Sequence, residues 1–248
     1  MSTNERLRGA ILSAGHTPAT LADQVGVDPK TVERWITQGR APHRTHRLKT
    51  AQVLGQDDVF LWPSTANTRQ AMSAAQAELV TMFPNRGAVP ADQWLSLATS
   101  ARESVDLLAF AASFLHDSIP GFTDVLAERA RAGVRVRLLF GGPTSPAVAL
   151  RGDEEGIGDL LGSRCALTWK YLQPLMRVPG IEARQHNATL YNSLFRFDET
   201  VLVNTHAYGV AASHSPVLHI QRVPGGRLFS HYLSSYDKTW DEARTVEA

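Results

Sequence analysis

Between Thr17 and Gln38 the chain starts two helices in quick succession, and no other feature constrains its fold as tightly. Thr17 and Asp28 are good side-chain caps, and each is followed by a proline, Pro18 and Pro29, at the first helical position, where a missing N–H costs nothing. Gly26 lies between the two helices and accepts the backbone turn that joins them. Leu21, Ala22 and Val25 on the first helix face Val27, Val32, Trp35 and Ile36, enough for a small shared core. Lys30, Thr31, Arg34 and Gln38 remain on the outside of the second helix.

The surrounding residues predict an all-helical segment from Asn4 to about Trp62. A first helix presents Leu7, Ile11 and Leu12 on one face and stops at Gly15. A fourth runs from about Thr45 to Leu54 after the Ala41-Pro42 break, and Val59 to Trp62 supply a last apolar turn before Pro63. Ser64 to Met82 reads as a connecting helix, or equally a dimerisation helix, with Met72, Ala75, Leu79 and Met82 at helical spacing. The Phe83-Pro84-Asn85-Arg86-Gly87 stretch then breaks the pattern.

Beyond about Gln93 strands and helices alternate. Val105 to Ala111, an amphipathic helix from Phe122 to Ala132 and Val134 to Phe140 make a βαβ unit. Helical patterns fill roughly Gly156 to Leu175. Strands are expected at Ile181 to Arg184, Thr189 to Phe197, Thr200 to Asn204 and Val217 to Gln221. A terminal helix from about Arg227 to Ala243 carries Leu228, Tyr232, Tyr236 and Trp240 on one stripe. The expected class is therefore multidomain: an all-α domain over 1–63, a linker over 64–92, and an α/β domain over 93–248 with parallel strands buried under helices on both faces.

With 248 residues the chain has room for two cores, and 43% hydrophobic with 20% charged residues describes a folded protein. A net charge of +1 means that nucleic-acid binding must rest on a local patch, and that one copy binds weakly. The single Cys165 excludes a disulfide framework and fits a reducing cytoplasm, where it serves as a small buried hydrophobe. No signal peptide and no apolar run of about 18 residues is present, so the expectation is a cytoplasmic protein without a membrane partner.

The segment Thr20-Leu21-Ala22-Asp23-Gln24-Val25-Gly26-Val27-Asp28-Pro29-Lys30-Thr31-Val32-Glu33-Arg34-Trp35-Ile36 resembles Cro/repressor-type helix-turn-helix domains. The resemblance implies a DNA-binding transcription regulator of that family. Lys30, Thr31, Arg34 and Gln38 would then reach base edges and phosphates, with Arg40, Arg44 and Arg47 on the backbone. It also implies a homodimer on double-stranded DNA with an inverted-repeat operator.

The segment from Leu190 to His206 looks like a phospholipase D superfamily strand pair, and Leu107 to Pro143 resembles the opening of that fold. Enzymes of that family carry His-x-Lys, then four residues and Asp, followed by a Gly-Ser pair and an Asn. Counting back from Asp198 puts Tyr191 at the nucleophile and Ser193 at the lysine position, with Asn204, Thr205 and His206 near the Gly-Ser pair. The reaction would lose both nucleophile and phosphate clamp, so the expectation is a chain that is not an enzyme, its second domain kept for dimerisation or sensing. A pocket lined by His116, Tyr191, Ser193, Arg196, Asp198, Asn204 and His206 would suit a polar or phosphorylated small molecule. The alternative is a phosphodiesterase or nuclease of the phospholipase D superfamily targeted to DNA. No cofactor is implied, and His186, His206 and Asp198 lack the compact spacing of a metal site.

Overall fold

The structure, a computed structural model, describes residues 3–65 and 69–246, with side chains from 74 onward in the second stretch. The chain divides into two compact units, Met1–Ser73 and Ala74–Ala248.

Among the described residues the first unit opens with α1 (Glu5–Ser13), α2 (Pro18–Val25), α3 (Pro29–Thr37), α4 (Arg44–Leu54) and α5 (Asp58–Leu61). Thr17 and Thr20 exchange hydrogen bonds between their hydroxyls and each other's backbone N–H across the start of α2, at 3.2 and 2.8 Å. Asp28 accepts the Lys30 N–H at 2.8 Å and so caps α3, an interaction worth about 1 kcal/mol. Gly26 ends α2 in the left-handed region at φ 83°, which a β-carbon would disfavour. Leu7, Leu21, Ala22, Val32, Trp35, Leu61 and Trp62 close the core, with Trp35 and Trp62 edge to face. Leu12, expected on the packed face of α1, is 70% exposed. Five residues past Leu7, it is carried about 140° round the helix axis, out of the core.

Among the described residues of 64–82 the expected helix does not run through to Met82, because the packed β-sheet takes its last turn. The helix α6 (Arg69–Glu78) gives way to strand β1 (Leu79–Phe83), so Leu79 and Met82 lie in a sheet. Residues 66–68 and the side chain of Met72 lie outside the described residues.

The larger unit then adds α7 (Ala91–Ser100), β2 (Ser104–Ala109), α8 (Phe114–Asp117), α9 (Phe122–Arg131), β3 (Arg135–Gly141), α10 (Pro146–Glu154) and α11 (Leu160–Leu172). It ends with β4 (Ile181–His186), β5 (Asn192–Phe197), β6 (Thr200–Thr205), β7 (Val217–Gln221), α12 (Leu228–Glu242) and β8 (Arg244–Thr245). Its sheet runs β1-β7-β6-β5-β2-β3-β4-β8. Only the β2–β3 and β3–β4 pairs are parallel, so the expected parallel sheet is corrected to a mixed one. The reason is local: β5 and β6 are joined by the short Asp198-Glu199 turn, and a tight turn leaves no length for the crossover that parallel neighbours need.

Side chains alternate across the strands and build a core on each face. Val105, Leu107, Val136, Leu138 and Phe195 pack beneath Trp94 and Ala98 of α7 and Phe122 and Leu126 of α9. Leu108, Leu139, Leu194 and Val203 pack against Phe229, Tyr236 and Trp240 of α12 and Cys165 of α11. That second face also carries charge. Asp106 on β2, fully buried, accepts from Arg137 on β3 at 2.6 Å and from Arg196 on β5 at 2.8 Å. Both arginines sit directly opposite Asp106 in the strand register. Arg137 also reaches Asp237 at 3.0 Å and stacks under Tyr236. Burial alone would lower its pKa, but the hydrogen bond and charge of Asp106 outweigh that and raise it above the ordinary guanidinium range.

Glu78, fully buried at the end of α6, accepts the backbone N–H groups of Arg227, Leu228 and Phe229 at 2.6, 2.7 and 3.2 Å. It thereby caps α12 from a distant part of the chain. A β-carbon at Gly226 would overlap the Glu78 side chain, so that turn needs glycine.

Removing one member of a buried ion pair strands the others without charge compensation. Asp106→Ala should therefore cost about 3–5 kcal/mol. Denaturant unfolding checks this, and a loss under about 1 kcal/mol would show that the network is dispensable.

Candidate functional site

A cavity of about 70 Å³ opens where the ends of β2 and β6 meet the start of β5. Its walls are Ala109 to Ser113 after β2, Ser193 on β5, His206 after β6, Ala211 to Ser213 in the following loop, and Arg86, Glu155, Leu161 and Arg164. One water occupies about 30 Å³ in the liquid, so the space suits a phosphoryl-sized group rather than a large ligand.

Ser193 and His206 meet on its wall. Ser193 Oγ lies 3.0 Å from His206 Nε2, while His206 Nδ1 lies 3.2 Å from the Leu190 carbonyl. A carbonyl only accepts, so Nδ1 carries the proton, Nε2 presents its lone pair, and the serine hydroxyl donates to it. Phe110 stacks on the imidazole with centroids 6.0 Å apart. Burial first, then the charge of Arg151, push the His206 pKa down to about 4, against the raising effect of the Leu190 hydrogen bond.

Two guanidinium groups line the same space. Arg86 leans over Phe114 at 4.3 Å, and burial lowers its pKa to about 10, with Glu155 opposing and Arg164 adding to the fall. Glu155, the only carboxylate among the lining residues, is held by Arg151 at 2.8 Å. Among the described residues neither Arg86 nor Arg164 has a carboxylate within ion-pair distance. The cavity is thus left with uncompensated positive charge. Ala112 on its wall has φ 53°, an unfavourable conformation for a residue with a β-carbon, of the kind that clusters where a surface is shaped for a ligand.

The other residues expected around one pocket are placed elsewhere. Tyr191 is 80% exposed and lies outside the cavity. Arg196 is spent on Asp106 and on the Asp198 carbonyl at 2.7 Å. Asp198, with φ 50°, accepts the N–H groups of Arg102, Glu103 and Ser104 at 2.8 to 2.9 Å and pins the β5–β6 turn to the start of β2. Burial would raise its pKa, but those N–H groups and Arg196 outweigh it and hold the carboxyl below its ordinary range. Asn204 is buried and donates its amide to the carbonyls of Ser215 and Pro216 at 3.1 and 3.2 Å. His116 contacts Thr168 at 3.4 Å and stacks on Tyr171. Apart from the exposed Tyr191 these side chains are engaged within the fold, and of the seven residues expected around one pocket only Ser193 and His206 line the cavity, with partners from other segments. Arg86 and Arg164 were missed because each lies in a stretch with no motif around it.

Cys165, buried against the Phe110 carbonyl at 3.3 Å, has its thiol pushed up to about 12 by burial, which leaves it inert. No group of three or more histidine, cysteine or carboxylate side chains suited to a metal occurs among the described residues, and no described helix is long and apolar enough to cross a membrane.

On the first unit, Thr31, Arg34 and Arg40 line a shallow concavity of about 260 Å³ together with Trp35, Ala41, Pro42, His43 and His46. Lys30, Gln38 and Arg44 are exposed outside it. Arg47, expected among the backbone contacts, instead bonds Asp58 at 2.7 Å and ties α4 to α5.

No family model and no curated protein matches the sequence. Among solved structures the chain is similar to Nuc, a phospholipase D family member from Salmonella typhimurium, with 18% identity over 63% of this chain and 90% of that one and a TM-score of 0.37. It is also similar to TrmBL2, an archaeal chromatin protein with a novel mode of DNA binding (13% identity, 89% and 72% coverage, TM-score 0.43). A third is a phosphatidylserine synthase from Haemophilus influenzae Rd KW20 (11% identity, 66% and 38% coverage, TM-score 0.42). Against the expectation that the chain is not an enzyme, the proteins it is similar to include a phospholipase D family member and a synthase.

Because the native His206 binds a proton only near pH 4 whereas the unfolded side chain does so near 6.5, the unfolded state gains protons first on acidification. Stability conferred above pH 6.5 is lost as pH falls toward 4. His206→Gln should show a smaller fall in urea midpoint between pH 7.5 and 4.5 than the parent; parallel profiles would contradict this.

Proposed function

We propose that this chain is a DNA-targeted phosphodiesterase, in which the helical unit binds duplex DNA and the cavity of the larger unit takes a phosphodiester. The cavity carries the reading: Arg86 and Arg164 line it, neither ion-paired to a carboxylate among the described residues, beside a hydrogen-bonded serine and histidine. Such a site favours an anion of phosphoryl size, and a guanidinium pair is well suited to its oxygens.

The DNA side is supported by α3. Its inner face is buried while Lys30, Arg34 and Gln38 are exposed, the arrangement that a Cro/repressor-type recognition helix uses to lie in the major groove. Lys30, Thr31, Arg34 and Gln38 are the proposed base and phosphate contacts, with Arg40 and Arg44 on the backbone. A homodimer would set two such helices roughly 34 Å apart on an inverted repeat, and pairing would offset the weak charge of one copy.

A second reading, a sequence-specific transcription regulator, is favoured by that same exposed row on α3. It makes the same demands on the first unit and adds one, a preferred operator. Genomic fragments selected by the purified protein should then share an inverted repeat; fragments without common sequence would leave DNA targeting but remove the regulator.

Arg34→Ala should weaken duplex binding by about 1–3 kcal/mol, a factor of roughly 5 to 150, in fluorescence anisotropy at fixed salt. Arg47→Ala should lower thermal stability instead. Unchanged affinity in Arg34→Ala would remove α3 from the interface. The full-length protein should release 4-nitrophenolate from bis(4-nitrophenyl) phosphate, and Arg164→Ala should slow this at least tenfold; a parent no faster than buffer would overturn the phosphodiesterase.

A further inference from the structure

The nucleophile and clamp implied by the family resemblance are absent, so a phosphodiesterase built on this sheet must draw its nucleophile from other residues. We propose that Ser193 is that nucleophile and His206 its general base, and that cleavage of a phosphodiester passes through a phosphoryl group carried on Ser193 Oγ. The inference rests on reading the cavity as a phosphodiester site.

Three parts of a nucleophile-activating arrangement are present within one stretch of chain. The hydroxyl and Nε2 stand 3.0 Å apart, within reach for proton transfer. The Leu190 carbonyl, 3.2 Å from Nδ1, fixes the tautomer and aims the ring, as an orienting third group does in serine hydrolases on other folds. Ser193 is held by the β5–β6 register opposite Asn204, whose amide is itself locked to two carbonyls, so the hydroxyl is carried on a rigid strand. Both side chains line the cavity that Arg86 and Arg164 charge positively.

Other hydroxyls fit less well. Ser113 and Ser213 line the cavity but make no hydrogen bond to a histidine among the described residues. Tyr191, at the position the resemblance gives to the nucleophile, points its 80% exposed side chain outside the cavity. The lowered basicity of His206 keeps its imidazole neutral, with the lone pair available, throughout the neutral range.

The step balances without a further reactant except water. Oγ attacks phosphorus and forms a new O–P bond while the bond from phosphorus to one ester oxygen breaks. The serine proton moves to Nε2 and from there to the departing oxygen, so a neutral alcohol leaves and a phosphodiester now joins Ser193 to the remaining substituent. A water molecule then attacks phosphorus, gives its proton to Nε2, and the P–Oγ bond breaks. Oγ recovers the proton, and a phosphomonoester leaves. Arg86 and Arg164 face the charge on the non-bridging oxygens in both halves.

The test uses the full chain with bis(4-nitrophenyl) phosphate, acid quenching and peptide mass spectrometry, alongside calorimetric binding of inorganic phosphate. The expected result is a nitrophenyl phosphoryl adduct on Ser193 in the parent. Ser193→Ala should lack the adduct, and both Ser193→Ala and His206→Gln should release nitrophenolate at least 100-fold more slowly, in keeping with the usual contribution of a general base. Both variants should bind phosphate within a few-fold of the parent, which separates lost chemistry from lost folding. Undiminished release by Ser193→Ala, or an adduct on another residue, would overturn Ser193 as nucleophile and leave the phosphodiesterase standing. A parent that binds phosphate without turnover would overturn the dyad and the phosphodiesterase together, leaving an anion site. A parent that neither binds nor turns over would overturn the reading of the cavity itself.

Discussion

A single carboxylate at the centre of the large sheet holds its two halves in register. Asp106 lies on the strand where parallel pairing on one side meets antiparallel pairing on the other, and its two oxygens are shared between Arg137 across the first boundary and Arg196 across the second. A buried charge in this position has no acceptable alternative pairing, because a slip by one residue would turn it away from both arginines toward the opposite, largely apolar core. The aromatic face of α12 closes over the same group, with Arg137 at 4.5 Å from the Tyr236 ring centre and 5.3 Å from that of Trp240.

The geometry of the cavity follows from that lock. Ser193 stands three residues before Arg196 on β5, and Asp198 two residues after it bolts the strand end to Arg102, Glu103 and Ser104. Strand β5 is therefore fixed just beyond Ser193, while His206 arrives from β6 through the hairpin partner. Precise placement of two side chains thirteen residues apart needs no flexible segment between them.

Local signals in the sequence were legible where the chemistry is local. The Thr17 and Asp28 caps, the Gly26 turn and the strands around β2, β3, β5, β6 and β7 follow from neighbours within a few residues. Leu79 to Phe83 was ambiguous for a physical reason: four apolar residues around Thr81 satisfy a helix stripe and a short strand equally, and only pairing with β7 decides between them. The helix α10 lacks an amphipathic pattern clear enough to show. In the site, Ser193 and His206 could be named because the resemblance placed them near one another. Arg86 and Arg164 could not, since 78 positions separate them and only the folded chain brings them to one wall. Arg47, Arg196, Asp198 and Asn204 looked available because sequence shows a polar side chain but not the distant partner that engages it.

The Glu78 carboxylate joins the first residues of the larger unit to the start of its last long helix. Three peptide N–H groups at the head of α12 have their acceptor on a side chain 149 to 151 positions earlier, one residue before β1 begins. Where the unit is severed from its neighbour is consequently not a neutral choice. A fragment beginning at Ala74 keeps the acceptor, whereas one beginning at Leu79 retains every strand yet takes from those amides their carboxylate partner, loosening the helix that roofs Asp106.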